Sequence, residues 1–259
     1  MFPHLTNMLR SRQWGQAFFE LAIVALGILM AFQVDRWREE SNDREMEQQY
    51  LARLSDDINQ DIRDISAGIE LAELRLEFAR LLMDAAEDQN VAIRSPVDFI
   101  LAVDQSSYTF TPALTSNTFD ELRSTGNIGL LRNTELKNGL FGYYRYDETE
   151  RQYMFLQHMQ EIRHFEYGRG IISNQQLRKA QTDWGIVNKT ELAALQNEAV
   201  DPNEITAAVE RLRENPAFIA WLPLTHEMQL ELLEANGERL RLATELQEIL
   251  HTLQNPERR

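Results

Sequence analysis

Two hydrophobic patterns follow one another along the first third of the chain. Residues 17–34 contain a single ionisable side chain, that of Glu20, and the stretch 21–34 contains none. Beyond it, apolar positions recur at spacings of three and four, which is typical of one face of a long amphipathic helix. They are Leu51, Leu54, Ile58, Ile62, Ile65, Ile69, Ala72 and Leu76. The first pattern predicts a membrane span and the second a stalk-like helix ending near Glu87. No Pro or Gly separates the two, so one continuous rod and a break at 41–43 both remain open.

The flanking tryptophans indicate where the span begins and ends. An uncharged stretch of 14 residues is short for a span, which needs about 20 apolar residues. Trp14 and Trp37, however, are separated by about 34 Å of helix, which matches a hydrocarbon core of about 30 Å with an aromatic at each interface. A cleaved signal peptide would need small residues after the apolar run, and FQVDRWREE follows instead. We predict a tail over 1–14, a transmembrane helix over 15–37 and an acidic helical domain over 38–259.

One face of the predicted span combines its single acid with small residues. At about 100° per residue, five positions fall close to one line: Glu20, Val24, Gly27, Ala31 and Val34. Gly27 and Ala31 form a small-xxx-small pair, which lets another helix approach closely in lipid. An ionised Glu20 in lipid costs a few kcal/mol, so burial against protein, protonation and a reach to the nearer interface are all open. This face predicts assembly with a partner helix.

The rest of the chain predicts helices. A second long helix begins after Asn133 as its N-cap and ends at Gly168 or Gly170, and a third runs from near Pro216 to near Gln254. The apolar stripe of the third contains Leu232, Asn236, Ala243, Leu246, Leu250 and Leu253. Shorter helices are predicted over 96–103, 118–125, 190–198 and 202–213. Only residues around 109–111 alternate with period two, so we predict an all-α fold: a transmembrane helix followed by a bundle of three long helices and several short ones.

Composition excludes several functions. The formal charge is −15, from 41 acidic and 26 basic residues. This argues against nucleic acid as a partner, because neutralising phosphates needs clustered Lys and Arg. The chain has no cysteine, which excludes disulfides, thiol catalysis and thiolate metal sites. Neither a phosphate-binding glycine loop nor a hydrolase motif is present. We expect no cofactor and no enzymatic activity.

Positive charges alone do not decide the orientation of the span. The tail carries Arg10 and Arg12, and the far flank carries Arg36, Arg38 and Arg44 amid five acids. Long C-terminal domains translocate largely regardless of their own charge, and the tail contains no acid. We therefore expect a cytoplasmic N-terminus and an extracytoplasmic domain.

Two blocks of sequence resemble a known family. ELAIVALGILMAFQVDRWREE (20–40), followed by YLARLSDDI (50–58), is similar to the N-terminus of an uncharacterised bacterial family of single-span proteins, a domain of unknown function. TFDELRSTGNIGLLRNTELKNGLFGYY (118–144) is similar to the mid-chain segment of the same family. The resemblance implies a bacterial inner-membrane protein with a helical periplasmic domain. It implies no activity.

A pair of Glu-x-x-His motifs is the nearest approach to a metal site. Glu161 with His164 and Glu248 with His251 lie on separate long helices, and carboxylate-bridged di-metal bundles use two such motifs. In a chain this rich in Glu, two such motifs among five His are an unusual but ordinary coincidence. They lie near helix ends, where bundle metal sites are uncommon, so they are weak candidates.

Three functions remain, in order of preference. The first is a non-enzymatic interaction or scaffold protein that binds the bilayer and self-associates, or serves as an accessory subunit of a membrane complex. Asn236, on an otherwise apolar stripe, could set helix register or oligomeric state. The second is an extracytoplasmic sensor or ligand-binding module, suggested by the aromatic residues over 141–155. The third is a di-metal enzyme.

Overall fold

A computed structural model describes residues 13–196 and 198–255, with the side chains of 13–17 and 150–157 left out of the description. Every regular element in this part of the chain is helical. The predicted all-α fold is confirmed, with three long helices and several short ones.

The first helix is much longer than a membrane span. Helix α1 runs over Gln13–Glu87, 75 residues, which is about 110 Å. Residues 41–43 continue the helix, and neighbouring side chains interact one turn apart: Arg44 lies 3.9 Å from Glu40, and the Asn42 amide lies 3.4 Å from the Met46 sulfur. The predicted span and the predicted stalk are therefore parts of one continuous helix.

The remaining helices follow in chain order. They are α2 (Gln89–Arg94), α3 (Pro96–Gln105), α4 (Asn117–Ser124), α5 (Thr134–Gly168), α6 (Asn174–Arg178), α7 (Lys189–Leu195), α8 (Pro202–Arg213) and α9 (Pro216–Gln254). A 3-10 turn covers Asn127–Leu130 and a π turn covers Lys179–Trp184. As predicted, Asn133 caps α5, its side-chain oxygen accepting the N–H of Leu136 at 2.7 Å. Gly126, at φ +78°, follows α4 in the left-handed conformation that suits glycine.

Two apolar cores lie one beyond the other along α1. The proximal core, nearer the N-terminus of α1, joins residues 50–65 of α1 to α4, the beginning of α5 and the end of α9. The distal core joins residues 74–85 of α1 to α2, α3, α8 and the beginning of α9. The stripe predicted on α1 supplies buried or half-buried side chains at every one of its positions.

Helix α9 runs antiparallel to α1. At one end the Gln254 amide donates to the backbone oxygen of Leu51 at 2.9 Å, and at the other Arg80 Nε donates to His226 Nε2 at 3.2 Å. Helix α5 lies against α9 on the far side, where Gly139 permits a close approach: a Cβ there would lie 2.8 Å from Leu246 Cδ2. The three long helices thus form the frame of the bundle.

The N-terminal part of α1 stands clear of that frame. Every large apolar side chain over residues 18–37 is more than half exposed, from 53% at Ile28 and Val34 to 73% at Phe18. Within the described residues, α1 is the one helix long and apolar enough to cross a membrane. Trp37 is 71% exposed, whereas the Trp14 side chain lies outside the described part.

The continuity of α1 predicts a defined distance between its exposed N-terminal part and the part that packs in the bundle. Arg38 and Asp56 are both exposed and 18 residues apart, which places them on the same face of a helix about 27 Å apart. Because the chain has no cysteine, spin labels at Arg38→Cys and Asp56→Cys should give one narrow distance distribution by pulsed electron paramagnetic resonance.

A matched pair at Ala52→Cys and Glu70→Cys is also 18 residues apart and at exposed positions. The segment of α1 between these two labels lies entirely in the part that packs in the bundle. The two distributions should coincide. A broader or shorter distribution for the 38/56 pair alone would show a break at 41–43.

Candidate functional site

A layer of buried polar side chains separates the two apolar cores. Along α9 the distal core ends at Leu222 and the proximal core resumes at Leu240, and four buried polar residues lie between them. They are Thr225, Gln229, Asn236 and Arg239. The other helices and the segment after α3 contribute Arg75, Asp104, Gln105, Ser106, Ser107, Asp147 and His164. We call this set the central polar layer.

His164 of α5 lies at the distal side of this layer and is fully buried. Its Nε2 lies 3.3 Å from the backbone oxygen of Val103, and its Nδ1 lies 3.2 Å from the Thr225 hydroxyl. Since a carbonyl oxygen only accepts, Nε2 carries the hydrogen and Nδ1 accepts from Thr225. Burial lowers the pKa of His164 to about 4, so the imidazole is neutral at pH 7.

Arg239 and Asp147 form a buried ion pair between α9 and α5. Arg239 Nη2 lies 2.9 Å from Asp147 Oδ1, and both side chains are at least nine-tenths buried. Arg239 Nη1 also donates to the Asn236 oxygen at 3.4 Å. Asn236 is fully buried within the chain, where its amide nitrogen lies close to Gly68 of α1. The structure therefore places Asn236 at a contact between helices of one bundle.

Asp61 of α1 organises the proximal core. It is fully buried, and its two oxygens accept from the Thr115 backbone N–H at 2.7 Å and the Tyr143 hydroxyl at 3.1 Å. Burial raises the pKa of Asp61 to about 6. Tyr143 and its neighbour Tyr144, from the aromatic run on α5, are thus part of this core.

A cavity of about 260 Å³ opens beside the central polar layer. Its walls come from α1, the segment after α3, α5, the segment before α7, and α9. The lining residues are Leu71, Ala72, Arg75, Tyr108, Thr109, Phe110, Glu161, Ile186 and Gln229. Arg75 is 2% exposed. Its Nη2 donates to the Val187 backbone oxygen at 3.0 Å, and its guanidinium carbon lies 5.5 Å from the Phe78 ring centre.

The two Glu-x-x-His pairs do not converge. His164 contacts Phe218 near the start of α9, with ring centres 4.8 Å apart, whereas Glu248 lies 30 residues further along α9, about 45 Å away. Within the first pair, the Glu161 carboxylate accepts from the Thr109 backbone N–H at 2.6 Å, while His164 bonds to other groups. In the second pair, His251 is exposed. Among the described residues, no three His, Asp or Glu side chains group as metal ligands would.

The predicted assembly face is fully displayed. Glu20, Val24, Gly27, Ala31 and Val34 are all exposed in the single chain. A Cβ built on Gly27 would meet nothing within 4 Å. The face is therefore free to receive another helix.

Within the described residues, the chain is an all-α protein with one helix long and apolar enough to cross a membrane. No family model, curated protein or solved structure matches the chain.

Sequence reasoning missed Arg75, Asp61 and the cavity. Arg75 and Asp61 look in the sequence like the exposed charges between the apolar positions of α1. The available signal was their place in the helical period: Asp61 directly follows the buried turn at Ile58, and Arg75 lies between Ala72 and Leu76 of the stripe.

Acid should destabilise the bundle through His164. An unfolded His takes up a proton near pH 6.5, but folded His164 resists protonation until about pH 4. The stability present above pH 6.5 is therefore lost as the pH falls to 4, by about 3 kcal/mol. His164→Gln should lose that much less free energy of unfolding than wild type between pH 7 and pH 4, measured by denaturant titration.

Asp61 acts in the opposite direction, since its pKa is raised and its contribution is largest at low pH. Comparing His164→Gln with wild type cancels it. His251→Gln, which removes an exposed imidazole, is the matched control and should follow wild type. Parallel pH dependence in all three proteins would contradict the assignment.

Proposed function

We propose that the chain is a membrane-anchored, non-enzymatic interaction protein that self-associates, or joins a membrane complex as an accessory subunit, through the face of its anchor. The observation that carries the proposal is the division of α1: over residues 18–37 its large apolar side chains are all exposed, and over 50–85 they are buried or half-buried.

This division is expected of a helix that lies partly in lipid and partly in a folded domain in water. A run of more than ten large apolar side chains in water exceeds the patches that monomeric soluble proteins expose. A helix satisfies its own backbone hydrogen bonds, so the same run is suited to lipid. The resemblance to single-span bacterial proteins supports an inner-membrane location, with residues 1–14 in the cytoplasm and the bundle in the periplasm.

The proposed contact lies on the Glu20, Gly27 and Ala31 side of the anchor. In lipid, helices associate by close packing and by hydrogen bonds between polar side chains. Gly27 offers the close approach, and Glu20 on the same side gains from a partner because an unpaired acid is costly in hydrocarbon. The bundle begins at Tyr50, about 20 Å beyond Trp37, so the proposed contact face lies clear of the bundle along the helix axis.

Cysteine crosslinking tests the contact directly, because the chain has no native cysteine. Ala31→Cys should form a disulfide-linked dimer in oxidised membranes. Leu29→Cys lies at nearly the same depth but about 160° around the helix, and should stay monomeric. Gel electrophoresis without reductant measures both. Equal crosslinking, or none for either variant, would contradict a dimer through this face.

Gly27→Leu separates packing from folding. No described residue lies near this position, so the bundle should keep its thermal stability. If the anchor packs against a second helix, the added side chain should reduce dimer recovery at least tenfold, as measured by the Ala31→Cys crosslink. An accessory-subunit role would instead show as loss of a co-purifying membrane protein with Gly27→Leu but not with Leu29→Ala.

A further inference from the structure

The cavity beside the central polar layer contains an arginine without an ionic partner. Arg75 is only 2% exposed. Its Nη1 forms no hydrogen bond within the described residues. Asp104 and Glu191 are close enough to act on it electrostatically, but neither lies within ion-pair distance of it in the described structure. Burial lowers the pKa of Arg75 only to about 10, so the guanidinium is charged at neutral pH. Such a group needs an anion.

The same cavity contains one acceptor without a donor and one carboxylate. Gln229 donates through Nε2 to the backbone oxygens of Ser106 and Tyr108, at 3.0 and 3.1 Å, which fixes the orientation of its amide. Its Oε1 is buried and accepts nothing from the described residues. Glu161 adds a carboxylate to the same wall, held by Thr109 and by His158 at 3.3 Å. One part of the cavity is thus positive and another is negative or accepting.

The other walls are apolar. Leu71 and Ala72 line the cavity from α1, and Phe110 and Ile186 line it while remaining 47% and 66% exposed. An exposed Phe and Ile beside a partly polar cavity suit the apolar part of a bound molecule. A volume of about 260 Å³ lies just below the range of about 300–1,000 Å³ for drug-sized ligands, so the occupant is small.

We propose that this cavity binds a free amino acid with an apolar side chain, the carboxylate on Arg75, the ammonium group on Glu161 and Gln229, and the side chain against Leu71, Phe110 and Ile186. A zwitterion matches both charges of the site. A simple anion would face Glu161, and a simple cation would face Arg75. This binding activity goes beyond the proposed assembly role and does not depend on it.

The wild-type protein tests the class of ligand without any substitution. The full chain in detergent is titrated with leucine, with 4-methylpentanoate, which lacks the amine, and with 3-methylbutylamine, which lacks the carboxylate. Phenylalanine is added as a larger amino acid. A ligand that binds only the folded state raises the melting temperature with its concentration. Leucine or phenylalanine should do so at 10 mM or below, and each leucine fragment should bind at least tenfold more weakly than leucine.

Two variants locate the site. Arg75→Met replaces a buried unpaired charge by an apolar side chain, which should leave the fold intact and weaken amino-acid binding at least tenfold by calorimetry. Glu161→Gln keeps an acceptor for Thr109 while removing the charge, and should weaken binding of the amino acid more than binding of 4-methylpentanoate. Arg63→Met and Glu166→Gln remove exposed charges from the same two helices and should bind as wild type does.

Three outcomes would overturn the proposal. The first is that neither leucine nor phenylalanine shifts the wild-type melting temperature. The second is that they shift the melting temperatures of wild type and Arg75→Met equally. If 4-methylpentanoate binds as tightly as leucine, the site recognises a carboxylate alone and the zwitterion assignment is wrong. Crosslinking through Ala31→Cys is read separately, so either result leaves the assembly proposal to its own test.

Discussion

The rest of the structure depends on the contrast between the two parts of α1. Its first part presents apolar side chains on every side, and its second part confines them to a stripe that the other helices cover. Helices α2, α3, α4, α7, α8 and α9 all contact α1. Because no glycine or proline lies between Gly27 and Gly68, the exposed and the covered parts belong to one unbroken hydrogen-bonded helix.

The central polar layer gives this long bundle a fixed register. Apolar stripes on α1, α5 and α9 could pack after a shift of one turn with little loss of buried area. The Arg239–Asp147 pair, the Asn236 contact and the His164–Thr225 hydrogen bond exist in one alignment only. A buried charge that loses its partner is strongly destabilising, so a shifted bundle is penalised at several points at once. We interpret the layer as a device for specificity, because burying ions adds little net stability.

Local signals were enough to predict the long helices. The stripe on α1, the Asn133 cap and the Pro216 start each depend on a few neighbouring residues. Helices α2 and α6 were missed because they are 6 and 5 residues long, too short to show a period. The sites were harder, since Arg75 acquires its character from Val187 and Gln229 from Tyr108, each more than 100 positions away. Conversely, the regular spacing of Glu161 with His164 suggested shared chemistry that their separate hydrogen-bond partners do not support.

In the proposed membrane arrangement, the unbroken helix also acts as a lever. Spans tilt by about 20° on average, and more when they are long for the bilayer around them. From Trp37 to Glu87, α1 extends about 75 Å beyond the interface, so a tilt of that size carries its far end about 25 Å sideways. With a flexible linker, the position of the bundle would not depend on the tilt of the span. With a rigid connection, the membrane thickness acts through the tilt of the span and so sets how far from the surface, and in which direction, the whole domain lies.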